Sequence, residues 1–203
     1  METQDRFERV AAHEWGYDPV QVDDFLDRVR ALHAGGGAAV SGSADDTSQE
    51  RTTPVGSRQV RERVFDRVRG GYAPAAVDAG LDRVEDELFA VEQRAFVAEH
   101  GALRWEEHVE FLGGLLLGRL NRPRTQRFRR PAKHRTTGYS VADVDVLCDR
   151  FMEQLRNDSE VDPQLLRAAV FRHAQGHNCY EEQQVDAFLD RAVEFVLALR
   201  AGA

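Results

Sequence analysis

Three residues near the carboxyl end have the types and spacing of metal ligands: His173, His177 and Cys179. Imidazole and thiolate groups at such intervals suit zinc. No fourth ligand is evident and the loop around them is polar, so solvated loop residues are the expectation and no metal or cofactor is assigned. His100 and His108 stand among glutamates and are expected to face water. Glu106-Glu107-His108 lacks the His-Glu-x-x-His order of a metalloprotease. Gly35 to Gly37 are no phosphate loop, because no strand-like run precedes them and no Lys-Ser or Lys-Thr follows. Four aspartates recur behind tyrosines: Asp23, Asp78, Asp145 and Asp186. Carboxylate chemistry is one reading of them. Their place at the start of helical patterns is better explained by negative charge at a helix's positive end. No catalytic constellation emerges, and the chain is not expected to be an enzyme.

The elements that carry these residues repeat. Tyr17, Tyr72, Tyr139 and Tyr180 each stand five residues before a Val-Asp pair, and an Asp-Arg pair follows at a fixed offset. Such recurrence marks internal repetition. The apolar positions then step by four and three: Val22, Leu26, Val29; Val77, Leu81, Val84; Val144, Cys148, Phe151; Val185, Leu189, Ala192. That is one face of a helix, with the Asp-Arg pair expected to point mainly to solvent. Glycine precedes the tyrosine at Gly16, Gly71 and Gly138, where a positive φ is the expected reason. Asp18-Pro19 suits a helix start, Asp as cap and Pro at the first helical position.

These segments resemble the DivIVA family of bacterial cell-division and polarity proteins. The first matches through Phe7, Gly16, Tyr17, Val22, Asp23, Phe25 and Leu26, the fourth through Phe171, Tyr180, Val185, Asp186, Phe188 and Leu189. The second and third depart from the pattern: Gly80 and Leu147 replace the phenylalanine. Cys179 replaces the glycine of the fourth. The resemblance implies a non-enzymatic cytoplasmic scaffold in cell division, polarity or envelope growth. It would associate with itself and with other division or envelope proteins. It further implies membrane contact through an aromatic and a basic residue just before Gly-Tyr, which points here to Trp15, Arg69 and Arg135.

Composition agrees with a helical protein that has long exposed faces: 42% hydrophobic and 31% charged residues in a chain of 203. A net charge of −8 disfavours general binding to nucleic acid or acidic lipid, so any such contact must be local. Two cysteines and no apolar secretory run at the start make a reduced cytoplasmic location the default.

The fold class expected is all-α: four short-helix, loop, long-helix repeats packed as a coiled coil or helical bundle. The expected divisions are a first repeat over 1–33 and a flexible Gly/Ser linker over 34–57. A second repeat with a long heptad helix follows over 58–120. A basic connector with the third repeat covers 121–157, and the fourth repeat covers 158–203. Short helices are read over Thr3 to His13 and from Ser57 through Phe65. The longest signal runs from Val77 to Leu116 in unbroken steps of four and three, with Glu85, Glu92, Glu99 and Glu106 on one flank. A straight dimeric rod and a helix broken at Gly101 into a bundle both satisfy that pattern.

Between Arg119 and Arg135 the character changes. Arg119, Arg122, Arg124, Arg127, Arg129, Arg130, Lys133 and Arg135 occur with no acid among them. Two readings stand: a surface for anionic lipid or nucleic-acid phosphate, or a connector that neutralises nearby carboxylates. A soluble adaptor without a membrane role, or a nucleic-acid-associated protein using this segment, are the competing functions.

Overall fold

The computed structural model describes residues 6–34, 55–133, 135–157 and 161–201. Helix α1 (Pro19–Ala34) begins at the proline, and the Asp18 carboxylate accepts the Val20 N–H at 2.9 Å. The further helices are α2 (Ser57–Arg61), α3 (Pro74–His100), α4 (Ala102–Leu120), α5 (Val141–Arg156), α6 (Gln164–Arg167) and α7 (Glu182–Ala201). Val22, Val77, Val144 and Val185 are each 1% exposed or less, so the apolar stripe of each long helix is buried.

The chain is mostly helical, but the all-α expectation is corrected by two small antiparallel sheets. One pairs β1 (Trp15–Tyr17) with β2 (Arg67–Arg69). The other runs in the order β4 (His173–Gln175), β3 (Thr137–Ser140), β5 (Cys179–Tyr180). Residues around the tyrosines are extended, and their backbone N–H and C=O groups need partners that a distant segment supplies. Among the described residues the short helices appear only as α2 and α6. Residues 6–13 form no helix, and the rest of the expected Thr3–His13 helix lies outside the described residues. Helix α2 stops at Arg61, short of Phe65. The expected linker lies outside the described residues except at Ala34 and Val55 to Ser57, and Gly35 to Gly37 lie outside with it.

The heptad run breaks at Gly101, whose φ of 89° no other residue type adopts cheaply. A single rod from Val77 to Leu116 therefore does not form. Past the break the Trp105 ring meets Phe96 edge-on at 5.7 Å, so α4 turns back along the end of α3. Two of the flank glutamates are also spoken for. Glu85 is 1% exposed and grips Arg61 at 2.5 Å, and Glu92 accepts the Ser57 N–H and hydroxyl at 2.8 and 2.6 Å. They bind α2 to α3 within one chain.

Contacts divide the chain into two units, Met1–Glu92 and Gln93–Ala203, with the boundary inside α3. The first buries Val22, Phe25, Leu26, Val60, Phe65, Tyr72, Val77, Leu81 and Leu88 together. In the second, α4 lies on α7 and α5, burying Leu112, Leu116, Phe151, Val185 and Val196. No helix among the described residues is long and apolar enough to cross a membrane.

Candidate interaction site: the crossed tyrosine segments

Within each unit two tyrosine segments cross. Tyr17 and Tyr72 exchange both backbone bonds, N–H to O at 2.9 and 2.8 Å. Tyr139 and Tyr180 are register partners in the second unit. The crossing explains the glycines, and their expected positive φ is corrected. None of Gly16, Gly71 and Gly138 has a positive φ. They are needed because the chains touch: a Cβ on Gly16 would lie 2.6 Å from the Gly71 carbonyl carbon, and one on Gly138 would run into the Tyr180 carbonyl.

The four aspartates acquire a role that helix-end electrostatics does not supply. Each takes the tyrosine hydroxyl of the opposite segment. Tyr72 donates to Asp23 at 3.0 Å and Tyr180 to Asp145 at 3.2 Å. Tyr17 bonds Asp78, and Tyr139 bonds Asp186. Burial, then the facing carboxylate, raises the pKa of Tyr17 and Tyr139. Tyr180, fully buried, is pushed up to about 12. Burial also raises Asp78 and Asp186, against the pull of the tyrosine bond.

Aromatic contacts follow the same rule. Phe7 meets Tyr72 edge-on at 5.5 Å, and Phe128 meets Tyr180 at 5.2 Å. Phe65 and Phe171 lie against Tyr17 and Tyr139 at 5.7 and 5.1 Å. The residue before Phe7 and before Phe128 is an arginine that clamps its own helix. Arg6 reaches the Asp23 carbonyl at 3.2 Å and pairs with the Asp27 carboxylate. Arg127 reaches the Asp145 carbonyl at 2.8 Å and the Asp149 carboxylate at 2.5 Å. The Asp-Arg pairs at Asp27 and Asp149 are thus not merely solvent-facing. These clamps were missed in the sequence, where Arg-Phe ahead of Tyr17 and Tyr139, with aspartates four apart behind, was the available signal.

The basic segment is largely consumed inside its own unit. Arg127 is 6% exposed, which corrects its expected role as a surface contact. Burial opposes its charge, but Asp149 and Asp145 outweigh that and raise its pKa. Burial alone would raise Asp149, yet Arg127 and Arg124 hold its carboxyl below the usual range. Arg124 pairs with Asp149, Arg129 lies 4.0 Å from Glu181, and Arg119 covers the Phe128 ring. Arg122 and Arg130 donate to the carbonyls of Arg127 and Thr125. Thr125, at φ 68°, turns its own N–H onto Asp145 at 2.7 Å. Lys133 and Arg135 are exposed.

The outer faces of the two crossings differ. On the first unit Trp15 is 55% exposed and stands opposite Arg69, whose guanidinium lies 4.9 Å from its ring. Arg67 beside it covers Tyr17. The corresponding places on β3 and β4 hold Thr137, Gln175 and His173. The first face is aromatic and cationic, the second polar. His173 lies 3.3 Å from Glu182, while Cys179 is fully buried with its Sγ toward the Gly176 carbonyl at 3.5 Å. Among the described residues no three His, Cys, Asp or Glu side chains gather as a metal site.

One ion pair across the second crossing sets an acid limit. Arg172 holds Asp143 with bonds of 2.6 and 2.9 Å and lowers its pKa from 3.8 to about 2. A depressed carboxylate stabilises above its unfolded value and loses that contribution as pH falls through its folded value. The Arg172→Ala variant should therefore be less stable than wild type above pH ~4, and the gap should close toward pH ~2. Urea midpoints across that range are the measurement.

No family model, curated protein or solved structure matches this chain.

Proposed function

We propose that the protein is a non-enzymatic, self-associating scaffold of the DivIVA type, acting in cell division, polarity or envelope growth. Its four Tyr-led segments are repeats of one module, coupled two by two. The observation that carries this reading is the reciprocity of the crossings, in which every tyrosine serves the aspartate of its opposite number. Such an arrangement is a device for joining helices, and its polar groups are used on one another.

The contact surface is the Trp15, Arg67, Arg69 face of the first unit, and its partner is an anionic membrane surface. An exposed indole with flanking guanidinium groups suits the lipid headgroup region. The Arg119 to Arg135 segment contributes less, because Arg124, Arg127 and Arg129 meet the carboxylates of Asp149, Asp145 and Glu181 within the unit. Sedimentation of the full chain with anionic and zwitterionic vesicles at low salt tests this. Retention on anionic vesicles only is expected, with Arg69→Ala losing about fivefold per the ~1 kcal/mol typical of one such charge. Arg135→Ala, one of the exposed charges of the connector, should change little. Equal or absent retention on both vesicle types would favour a soluble adaptor, and salt-sensitive retention on DNA would favour the nucleic-acid reading.

A further inference from the structure

Helices α1 and α3 of the first unit flank an open groove of about 400 Å³. Its floor is Phe7, Leu26, Val29, Val84 and Leu88. Gly80 lets the Phe7 ring lie directly against α3 as part of that floor. A Cβ there would meet the Phe7 ring at 2.8 Å, and the same place in the last helix holds Phe188, buried against Phe128. On the rim stand Arg30 and Arg83, both exposed and without a carboxylate partner among the described residues, together with His33 and the exposed Glu87. The groove is therefore apolar below, with two arginines against one glutamate on its rim, and it follows α1 and α3 for about two turns.

A matching ridge lies on α4. Phe111 is 62% exposed, Leu115 43% and Leu103 69%, all on the side away from Leu112 and Leu116. Glu107, which accepts from Arg104 at 3.0 Å, and Glu110 flank Phe111 and are exposed. Gly114 and Gly118 share the face, and a Cβ at either would meet nothing within 4 Å. Glycine inside a helix costs ~1 kcal/mol against alanine, and no neighbour in this structure requires these two. They leave the helix surface low enough for another backbone to come near.

We infer that the groove of one copy takes the α4 ridge of a second copy, Phe111 laid against the Phe7 ring and Glu110 answering Arg30 and Arg83. This is the helix-in-groove mode of recognition, with charge complementarity setting the choice of partner. The two surfaces are different patches of one chain, so the interface is heterologous. Such an interface adds copies head to tail and ends only by ring closure. The inference rests on the self-association read above and names the surfaces that carry it.

The test uses full-length chains, since all altered side chains lie at the surface and leave both cores intact. Wild type should grow in mass with concentration by light scattering. Phe111→Ala removes the ridge and Arg30→Glu with Arg83→Glu reverses the groove. Each variant alone should remain monomeric, its dissociation constant raised more than tenfold, as expected for a central anchor. Mixed, the two retain one intact groove and one intact ridge, and must form a one-to-one dimer that grows no further. Circular dichroism equal to wild type confirms that the variants fold. A wild type that stays monomeric, a mixture that forms no dimer, or variants that still assemble would each overturn the inference. Vesicle retention scored on the same samples separates this failure from failure of the scaffold reading.

Discussion

Arg127→Met should unfold the second unit far more readily than Arg6→Met unfolds the first. The two arginines make the same contacts in different surroundings. Arg127 and Asp145 have side chains 7% and 6% exposed, while Arg6 is 26% exposed and its partner Asp27 63%. Removing one member of a buried pair strands a charge and costs about 3–5 kcal/mol, whereas an exposed pair is worth about 1 kcal/mol or less. The lower end is expected for Arg127, because Asp145 keeps the Thr125 N–H and the Tyr180 hydroxyl. Adding Asp145→Asn and Asp149→Asn to Arg127→Met removes the stranded charges and should recover most of the loss. The chain has two tryptophans, Trp15 in the first unit and Trp105 in the second. Single-tryptophan variants, unfolded in urea, therefore read each unit separately. An equal loss in both units would mean that burial does not set the cost. The same variant also separates the two readings of the basic segment, since a clamp can be lost without weakening vesicle retention.

The difference between these arginines shows why the site was only partly legible. Helices were legible because their signal is local: Val22, Leu26 and Val29 report their own shared face whatever stands opposite. The tyrosine and aspartate positions were visible as a pattern for the same reason. What joins them was not, because Tyr72 finds Asp23 across 49 positions and Tyr180 finds Asp145 across 35. No spacing rule spans such distances. A run of arginines likewise says nothing about where its carboxylates lie, and Asp145 and Asp149 come from a helix that begins only after the run has ended. Glu85 and Glu92 illustrate the converse. Their heptad flank fitted a partner chain, yet α2 of the same chain reached them first. Gly101 was the exception, a break whose local chemistry announced it.

Glycine at the crossing makes the sharpest demand on residue identity. Gly138→Ala should cost the second unit about 3 kcal/mol, the upper range for overpacking a site with no room to yield. The added methyl meets backbone, the Tyr180 carbonyl, and cannot be rotated aside as it could from a side chain. Either the strands part and the Tyr139–Tyr180 ladder is lost, or the helices behind them shift. The natural Cys179 suggests that the glycine place tolerates a side chain, and the expectation for Gly71→Cys tests whether that tolerance transfers. It should not. A Cβ on Gly71 would lie 2.8 Å from the Gly16 carbonyl carbon and closer still to the Tyr17 carbonyl oxygen. Cys179 instead follows a turn at Gly176–Asn178 and pairs with Ser140, and its sulfur is seated beside the Gly176 carbonyl. Two more residues separate the tyrosine from the preceding strand there than in the first unit, from His173 to Tyr180 against Arg67 to Tyr72. With that extra length the cysteine's sulfur sits 3.8 and 3.5 Å from the Thr136 and Gly176 carbonyls, whereas the Gly71 position meets the opposite backbone. Gly71→Cys should therefore lose the slow amide exchange of Tyr17 and Tyr72 while leaving that of Tyr139 and Tyr180 intact. Retained protection at Tyr17 would show that the first crossing can open enough to admit a side chain.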